Sequence, residues 1–274
     1  MKKVDRLGWA AGMCFVAYGR RIGIRVNKPE VLERLSRRLP CGWRPAASPV
    51  VDHLYSVVAG GNGPHSHVRR FNLVYAGAMQ LARTLDLDEA LDSLESDLHL
   101  YVAARARGKL FVHAGVVGWR GRAIIIPGRT LAGKTTLVAA LVRAGATYYS
   151  DEYAVLDAHG RVHPYPKPLS IRREGGHRPQ RLPVESMGAV AGAKPLPVGL
   201  ILLSRYRAGA RWRPRRLSPG QAALALLAET VPARRRPATA IARLGRVATH
   251  APALRGVRGE ADTLAHALLA RGGA

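Results

Sequence analysis

A chain of 274 residues with 43 Lys plus Arg against 18 Asp plus Glu, a formal charge of +25, is long enough for one good hydrophobic core or one and a half. Its composition is 47% hydrophobic with no low-complexity tract, which excludes a disordered or fibrous chain, and no apolar run approaches the ~20 residues that span a bilayer. Only two cysteines occur, Cys14 and Cys41, without metal-like spacing, and a reducing, cytoplasmic setting is expected.

Lys2 and Lys3 precede a largely apolar stretch from Leu7 to Tyr18. Asp5 and Arg6 interrupt its approach and it runs into the strand-like Ile22–Val26, so the expectation is a strand and not a secretory signal. Residues 14–26 read as a strand or hairpin around Gly19-Arg20-Arg21, and Pro29–Leu39 as a short helix with Pro in its first turn. His53–Val58 and Phe71–Tyr75 read as strands separated by a glycine-rich loop. His65 and His67 in that region read as polar loop residues, since no acid or Cys accompanies them. Leu87–Arg105 is the longest helical pattern: Leu91, Leu94, Leu98 and Val102 recur at helical spacing, and acids crowd its first half. Residues 1–107 thus predict a small α+β domain in which no chemistry is visible.

The next segment carries the chemistry. Leu110–Trp119 and Arg122–Ile126 read as two strands flanking an Arg120-Gly121 turn. That turn pairs Trp119 with Arg122, Val117 with Ile124 and Gly115 with Ile126, and the register continued sets His113 opposite Gly128. Gly128-Arg129-Thr130-Leu131-Ala132-Gly133-Lys134-Thr135, followed by Thr136, fits the phosphate-loop pattern of two glycines, a lysine and a hydroxyl residue. A buried strand precedes it. A helix from Thr135 to Ala144 follows, with Leu137, Val138, Leu141 and Val142 on one face. Strand, glycine loop and helix in that order aim backbone N–H groups and the positive helix end at one point, where a triphosphate can sit. Lys134 is expected to neutralise β- and γ-phosphate charge and the Thr135 hydroxyl to ligate Mg2+.

Ala146–Ser150 reads as a short strand that ends in Asp151-Glu152, with its carboxyl end beside the phosphate loop. Acids there have two uses, as ligands for Mg2+ and as the acceptor of a proton from an attacking hydroxyl. Tyr153–Leu156 and Arg161–Tyr165 predict a hairpin, then a stiff Pro164–Pro168 connector leads to Leu169–Glu174, where an Arg could reach a transferring phosphoryl group. Gly175–Lys194 reads as a mobile loop. Beyond it the pattern predicts a buried strand at Val198–Leu203, an edge strand at Arg211-Trp212-Arg213, and a helix capped by Ser218 and running to Thr230. A helix at Thr239–Val247, a strand at Ala253–Val257 and a helix at Ala261–Leu269 complete the chain.

His113-Ala-Gly, the hairpin, Gly128 to Thr136, and then Ser150-Asp151-Glu152 resemble the catalytic domain of HPr kinase/phosphorylase and its bacterial relatives. The resemblance covers roughly residues 108–270. It implies an α/β fold, with a P-loop kinase core of the HPr kinase/PEP carboxykinase type and a mixed sheet, preceded by the α+β front domain. It also implies ATP and Mg2+ as cofactors and a serine hydroxyl of a protein or peptide as acceptor. Some relatives look like kinases of ribosomally made peptides, lasso-peptide precursors among them, while others act on small molecules such as free serine. Carried over by position, the resemblance implies that His113 lies near the γ-phosphate, Gly128–Thr136 cradle the phosphates, Asp151 is the general base, and Glu152 lies near the metal with Thr135 and Asp151, with Arg172 or Glu174 as candidates to complete the site. The second acid is Glu152 where the family often has Asp, and the glycine-rich signature of true HPr kinases is missing. Phosphorylase activity and HPr itself are therefore not the expected function and substrate.

The arginines are scattered and not striped with aromatics, which argues against nucleic acid as the partner. Arg211–Arg216 with Arg234–Arg236 form the densest cluster and the best place for an acidic partner. HPr kinases are homo-oligomers, so the resemblance also raises that possibility here. A small-molecule kinase and a non-catalytic ATP-binding regulator with a basic partner-binding face are the alternatives.

Overall fold

The computed structural model describes residues 3–61, 70–128, 133–171 and 180–270. The chain is mixed α/β and forms two compact units, 1–107 and 108–274. The sequence expectations at Arg129, Thr130, Leu131, Ala132, Arg172, Glu174, His65 and His67 lie outside the described residues.

In the first unit the strands β1 (Ala11–Ala17), β2 (Arg20–Val26), β3 (Arg44–Pro45), β4 (His53–Val58), β5 (Asn72–Ala76) and β6 (Met79–Thr84) form one sheet in the order β3-β1-β2-β4-β5-β6. Helix α1 (Glu30–Ser36) provides the crossover that lets β2 and β4 pair in parallel, and α2 (Leu87–Arg105) packs on β5 and β6. Asp86 caps α2, accepting from the Asp88 and Glu89 N–H groups, and Leu91, Leu94, Leu98 and Val102 are its buried stripe. The β1–β2 turn is Tyr18-Gly19, both at positive φ, one residue earlier than the sequence pattern suggests. Both residues take the left-handed conformation that a two-residue hairpin turn of right-handed twist requires. β6 escapes the sequence reading because its Met-Gln-Leu-Ala-Arg-Thr pattern has no clean alternation.

In the second unit the strands are β7 (Leu110–Trp119), β8 (Arg122–Pro127), β9 (Thr147–Ser150), β10 (Tyr153–Leu156), β11 (Arg161–His163), β12 (Leu169–Ile171), β13 (Gln180–Leu182), β14 (Leu196–Tyr206), β15 (Arg215–Leu217) and β16 (Ala253–Arg258). The helices are α3 (Lys134–Arg143), α4 (Pro219–Ala228), α5 (Pro237–His250) and α6 (Ala261–Ala270). The main sheet runs β11-β10-β7-β8-β14-β16-β15, with β9 also on β7. It is mixed: β14 is parallel to β8 and to β16, while β7 is antiparallel to β8, β9 and β10. β12 and β13 pair apart from it.

Two cores lie on opposite faces of this sheet. Val112, Ala114, Val116, Ile125 and Ile201 pack with Leu226 of α4 and Leu244 of α5 on one side. Val117, Ile124, Ile126 and Leu202 pack with Leu137 and Leu141 of α3 and Leu264 and Leu268 of α6 on the other. The near-continuous apolar run of β8 follows from its burial on both faces. Ser218 and Gln221 form a reciprocal capping box at α4.

Two expectations need correction. Arg211-Trp212-Arg213 is not a strand; the edge strand is Arg215–Leu217, where Arg215 pairs with Arg255. Trp212 instead lies over Gly256, which has no side chain to obstruct the ring. The described part of Gly175–Lys194 is built structure: β13, a 3-10 turn at Val184–Met187, and a bridge of Ala191 to Tyr148. Tyr149 fixes that bridge, its ring packed on Gly192 and its hydroxyl donating to the Lys194 carbonyl at 2.7 Å. Among the described residues no helix is long and apolar enough to cross a membrane.

Candidate functional site

The site grows from β7. One edge of β7 pairs with β8 in the register read from the Arg120-Gly121 turn: Trp119 with Arg122, Val117 with Ile124, Gly115 with Ile126. The pairing ends at Ala114–Pro127, and the Gly128 N–H then donates to the His113 carbonyl at 3.3 Å. His113 and the first glycine of the loop are therefore neighbours. Facing follows from parity, because residues two apart on a strand share a face. Gly115 lies under α3, where a Cβ would come within 2.5 Å of Val138 Cγ2, so His113 is on the α3 face.

The other edge of β7 carries β9 and β10 end to end. Ser150 pairs with Val116, Tyr153 with His113, and pairing is interrupted between them at Asp151 and Glu152. β9 and β8 are consequently parallel with β7 between them, one strand further apart than a simple neighbouring crossover. Their carboxyl ends still reach the same level of the sheet. The Ser150 hydroxyl accepts from the Glu152 and Tyr153 N–H groups at 3.1 and 3.0 Å, which holds the interruption in shape. The Glu152 carbonyl accepts from the Ala114 N–H at 3.2 Å.

Asp151 faces α3. The Thr135 hydroxyl donates to its Oδ2 at 3.4 Å, the Tyr148 hydroxyl approaches Oδ1 at 3.3 Å, and the Ser170 N–H approaches Oδ2 at 3.5 Å. Burial raises the Asp151 pKa above the ordinary carboxylate value, against the opposing pull of the Ser170 N–H. A hydroxyl facing a carboxylate is an all-oxygen donor pair of the kind Mg2+ takes, so Thr135 and Asp151 fit that ion. Glu152 is engaged by another cation: its Oε2 accepts from Lys167 Nζ at 2.6 Å.

Gly133, at φ 72°, is the N-cap of α3, and Lys134 and Thr135 open the helix. Lys134 Nζ donates to the Gly128 carbonyl at 2.5 Å, bridging the two ends of the loop. Burial lowers the Lys134 pKa, while the carboxylates of Glu229, Asp151 and Glu152 act in the opposite direction. Thr136 is exposed on the first turn of α3. The His113 ring lies 4.8 Å from that of Tyr153, above an aromatic cluster of Phe111, Tyr153 and Tyr165. Burial lowers its pKa and favours the neutral imidazole, with the Glu152 charge opposing.

The structure thus gathers His113, Gly128, Gly133, Lys134, Thr135, Asp151 and Glu152 at one end of the sheet. Sequence reasoning missed three members. Lys167, inside the proline-rich connector, is the Glu152 partner. Tyr148 holds both Asp151 and the Lys167 carbonyl, the latter at 2.7 Å. Glu229 follows α4; its carbonyl accepts from the His113 N–H at 2.8 Å, and Val231 N–H donates to the Phe111 carbonyl at 3.0 Å. Residues 229–231 thereby take the place beside β7 that β8 leaves when it turns into the loop. No local signal marks Glu229, because only the return of α4 to the sheet brings it there. Compared with protein-family models and with curated proteins, the chain matches none.

Proposed function

We propose that residues 108–274 form a P-loop kinase of the HPr kinase-like type, which uses ATP and Mg2+ to phosphorylate a serine hydroxyl on a protein or peptide. One observation carries the reading: Asp151, half-buried and with a raised pKa, faces the Thr135 hydroxyl at the start of the loop helix. Lys134 and the α3 N-terminus attract the phosphates, and Thr135 with Asp151 provides the oxygen donors for Mg2+. Bound magnesium would screen the negative charge of the β- and γ-phosphates. The acceptor oxygen attacks the γ-phosphorus, the bond to the β–γ bridging oxygen breaks, and Asp151 takes the hydroxyl proton. A raised proton affinity suits that role. Neutral His113 lies on the same face and supplies a hydrogen-bonding group without adding a charge. Lys167 occupies Glu152 and keeps the second acid from competing for the proton.

A set of arginines on the α4/α5 face of β14, β15 and β16, across the sheet from α3, favours an acidic protein or peptide partner over a small metabolite. Arg215 and Arg255 pair directly, and Arg205 lies on the same face of the sheet. All three are exposed. Among the described residues the second unit's ion pairs are Arg143–Asp262, His163–Asp157 and Lys167–Glu152, and none uses these arginines. Like charges placed side by side without carboxylates suit a negatively charged partner.

The test is transfer of labelled γ-phosphate to serine-containing acidic peptides, with free serine as the competing acceptor. Transfer to peptide is expected. Transfer to free serine alone moves the reading to a small-molecule kinase. Failure of calorimetry to detect MgATP uptake removes the kinase reading altogether.

A further inference from the structure

Arg258 ends β16 and reaches back to the loop. Its Nη2 donates to the Gly133 carbonyl at 3.1 Å and its Nη1 to the Gly259 carbonyl at 2.9 Å, and only 2% of the residue is exposed. Its Nε–H is buried without an acceptor. Among the described residues no carboxylate comes within ion-pair distance of it. Glu260, the acid that acts on it most strongly, is itself exposed and accepts from the Tyr206 hydroxyl at 3.1 Å. The Tyr206 ring, 5.3 Å from the guanidinium carbon, offers only the partial negative charge of its face.

The surroundings are poor for a cation. Gly133 is the N-cap of α3, so the guanidinium touches the positive end of a helix dipole, and Lys134 is the next residue. A desolvated cation is ordinarily paired, and this one sits among other positive groups. An anion received by the loop would balance Arg258, Lys134 and the helix end together.

We propose that Arg258 is a phosphate-binding residue: it backs the loop at Gly133 and reaches charge balance only when the oligophosphate tail of a nucleotide is bound. This rests on the reading of the loop as a nucleotide site. It assigns to the end of β16, about 125 residues beyond the loop, a role that no local motif marks.

Calorimetry on the full chain tests it, with MgATP and with magnesium tripolyphosphate as separate ligands. Wild type is compared with R258M, R258K and the surface control R143M. R258M should weaken both ligands about tenfold or more, R258K should recover part of the loss, and R143M should leave affinity unchanged. Thermal unfolding without ligand gives a second readout. R258M should match or exceed the wild-type Tm, because an unbalanced buried charge is gone. A mere structural clamp predicts the reverse, a lowered Tm and unaltered affinity, and that result overturns the proposal. Weakened MgATP binding with unchanged tripolyphosphate binding also overturns it, since Arg258 would then serve the nucleoside. Unchanged affinity for both ligands in R258M sinks the proposal and leaves the kinase reading standing. If wild type takes up neither ligand, both fail.

Discussion

The Thr135 hydroxyl and the Asp151 carboxylate meet across 3.4 Å, though they are 16 residues apart and a helix lies between them in the chain. The meeting needs β9 to run parallel to β8 with β7 between, so that both strands end at the same level. Asp151 is held there at a cost, because partial burial disfavours its charged form.

Replacing Asp151 with Asn should cut phosphate transfer about a hundredfold or more, a larger loss than the fall in MgATP affinity that calorimetry reads from the missing magnesium donor. The same variant should be more stable than wild type at neutral pH. A carboxyl with a raised folded-state pKa binds its proton more tightly when folded, so stability falls as pH rises from the unfolded value to the folded one. Asn removes that loss. The Tm gain should be full at pH 7 and vanish below the ordinary carboxylate pKa.

Lys167 lowers the Asp151 pKa through its charge, besides holding Glu152. Lys167→Met should therefore raise it further. The acid limb of the pH–rate profile should move to higher pH, read from kcat/KM across the range. A variant that loses activity with no movement of that limb assigns Lys167 a packing role alone.

His113 has its pKa lowered by burial from an ordinary value of 6.5. A basic group depressed in the folded state leaves stability intact above the unfolded pKa, and stability is lost as pH falls toward the folded one. His113→Gln should flatten the fall in Tm as pH drops below about 6.5, followed by calorimetry in matched buffers.

Gly115 permits α3 to lie close on β7, since a Cβ would approach Val138 Cγ2 to 2.5 Å. Gly115→Ala should cost about 1–3 kcal/mol in denaturant unfolding, because the helix must shift or Val138 must leave its rotamer. As α3 carries Lys134 and Thr135, MgATP affinity should fall with it.

The local parts of this molecule are legible in the residues. The Leu87–Arg105 stripe, the Ser218 cap, and the β7–β8 register counted from Arg120-Gly121 each depend on neighbours a few positions away. Periodicity and turn chemistry act over that distance, and the hairpin register carried His113 to Gly128 without a structure. The sheet order, the facing of His113, and the partners of Glu152 and Gly133 were not legible. They are decided by which strand edges meet and which buried charges must be matched. Glu229 arrives through the return of α4, Lys167 through the connector after β11, and Arg258 through the last strand of the sheet. From the residues alone came a glycine loop between strand and helix, with acids beyond it. The fold alone set those acids along one edge of β7, between β9 and β10, and buried an arginine behind the loop, since long-range pairing and desolvation act only once the chain has closed on itself.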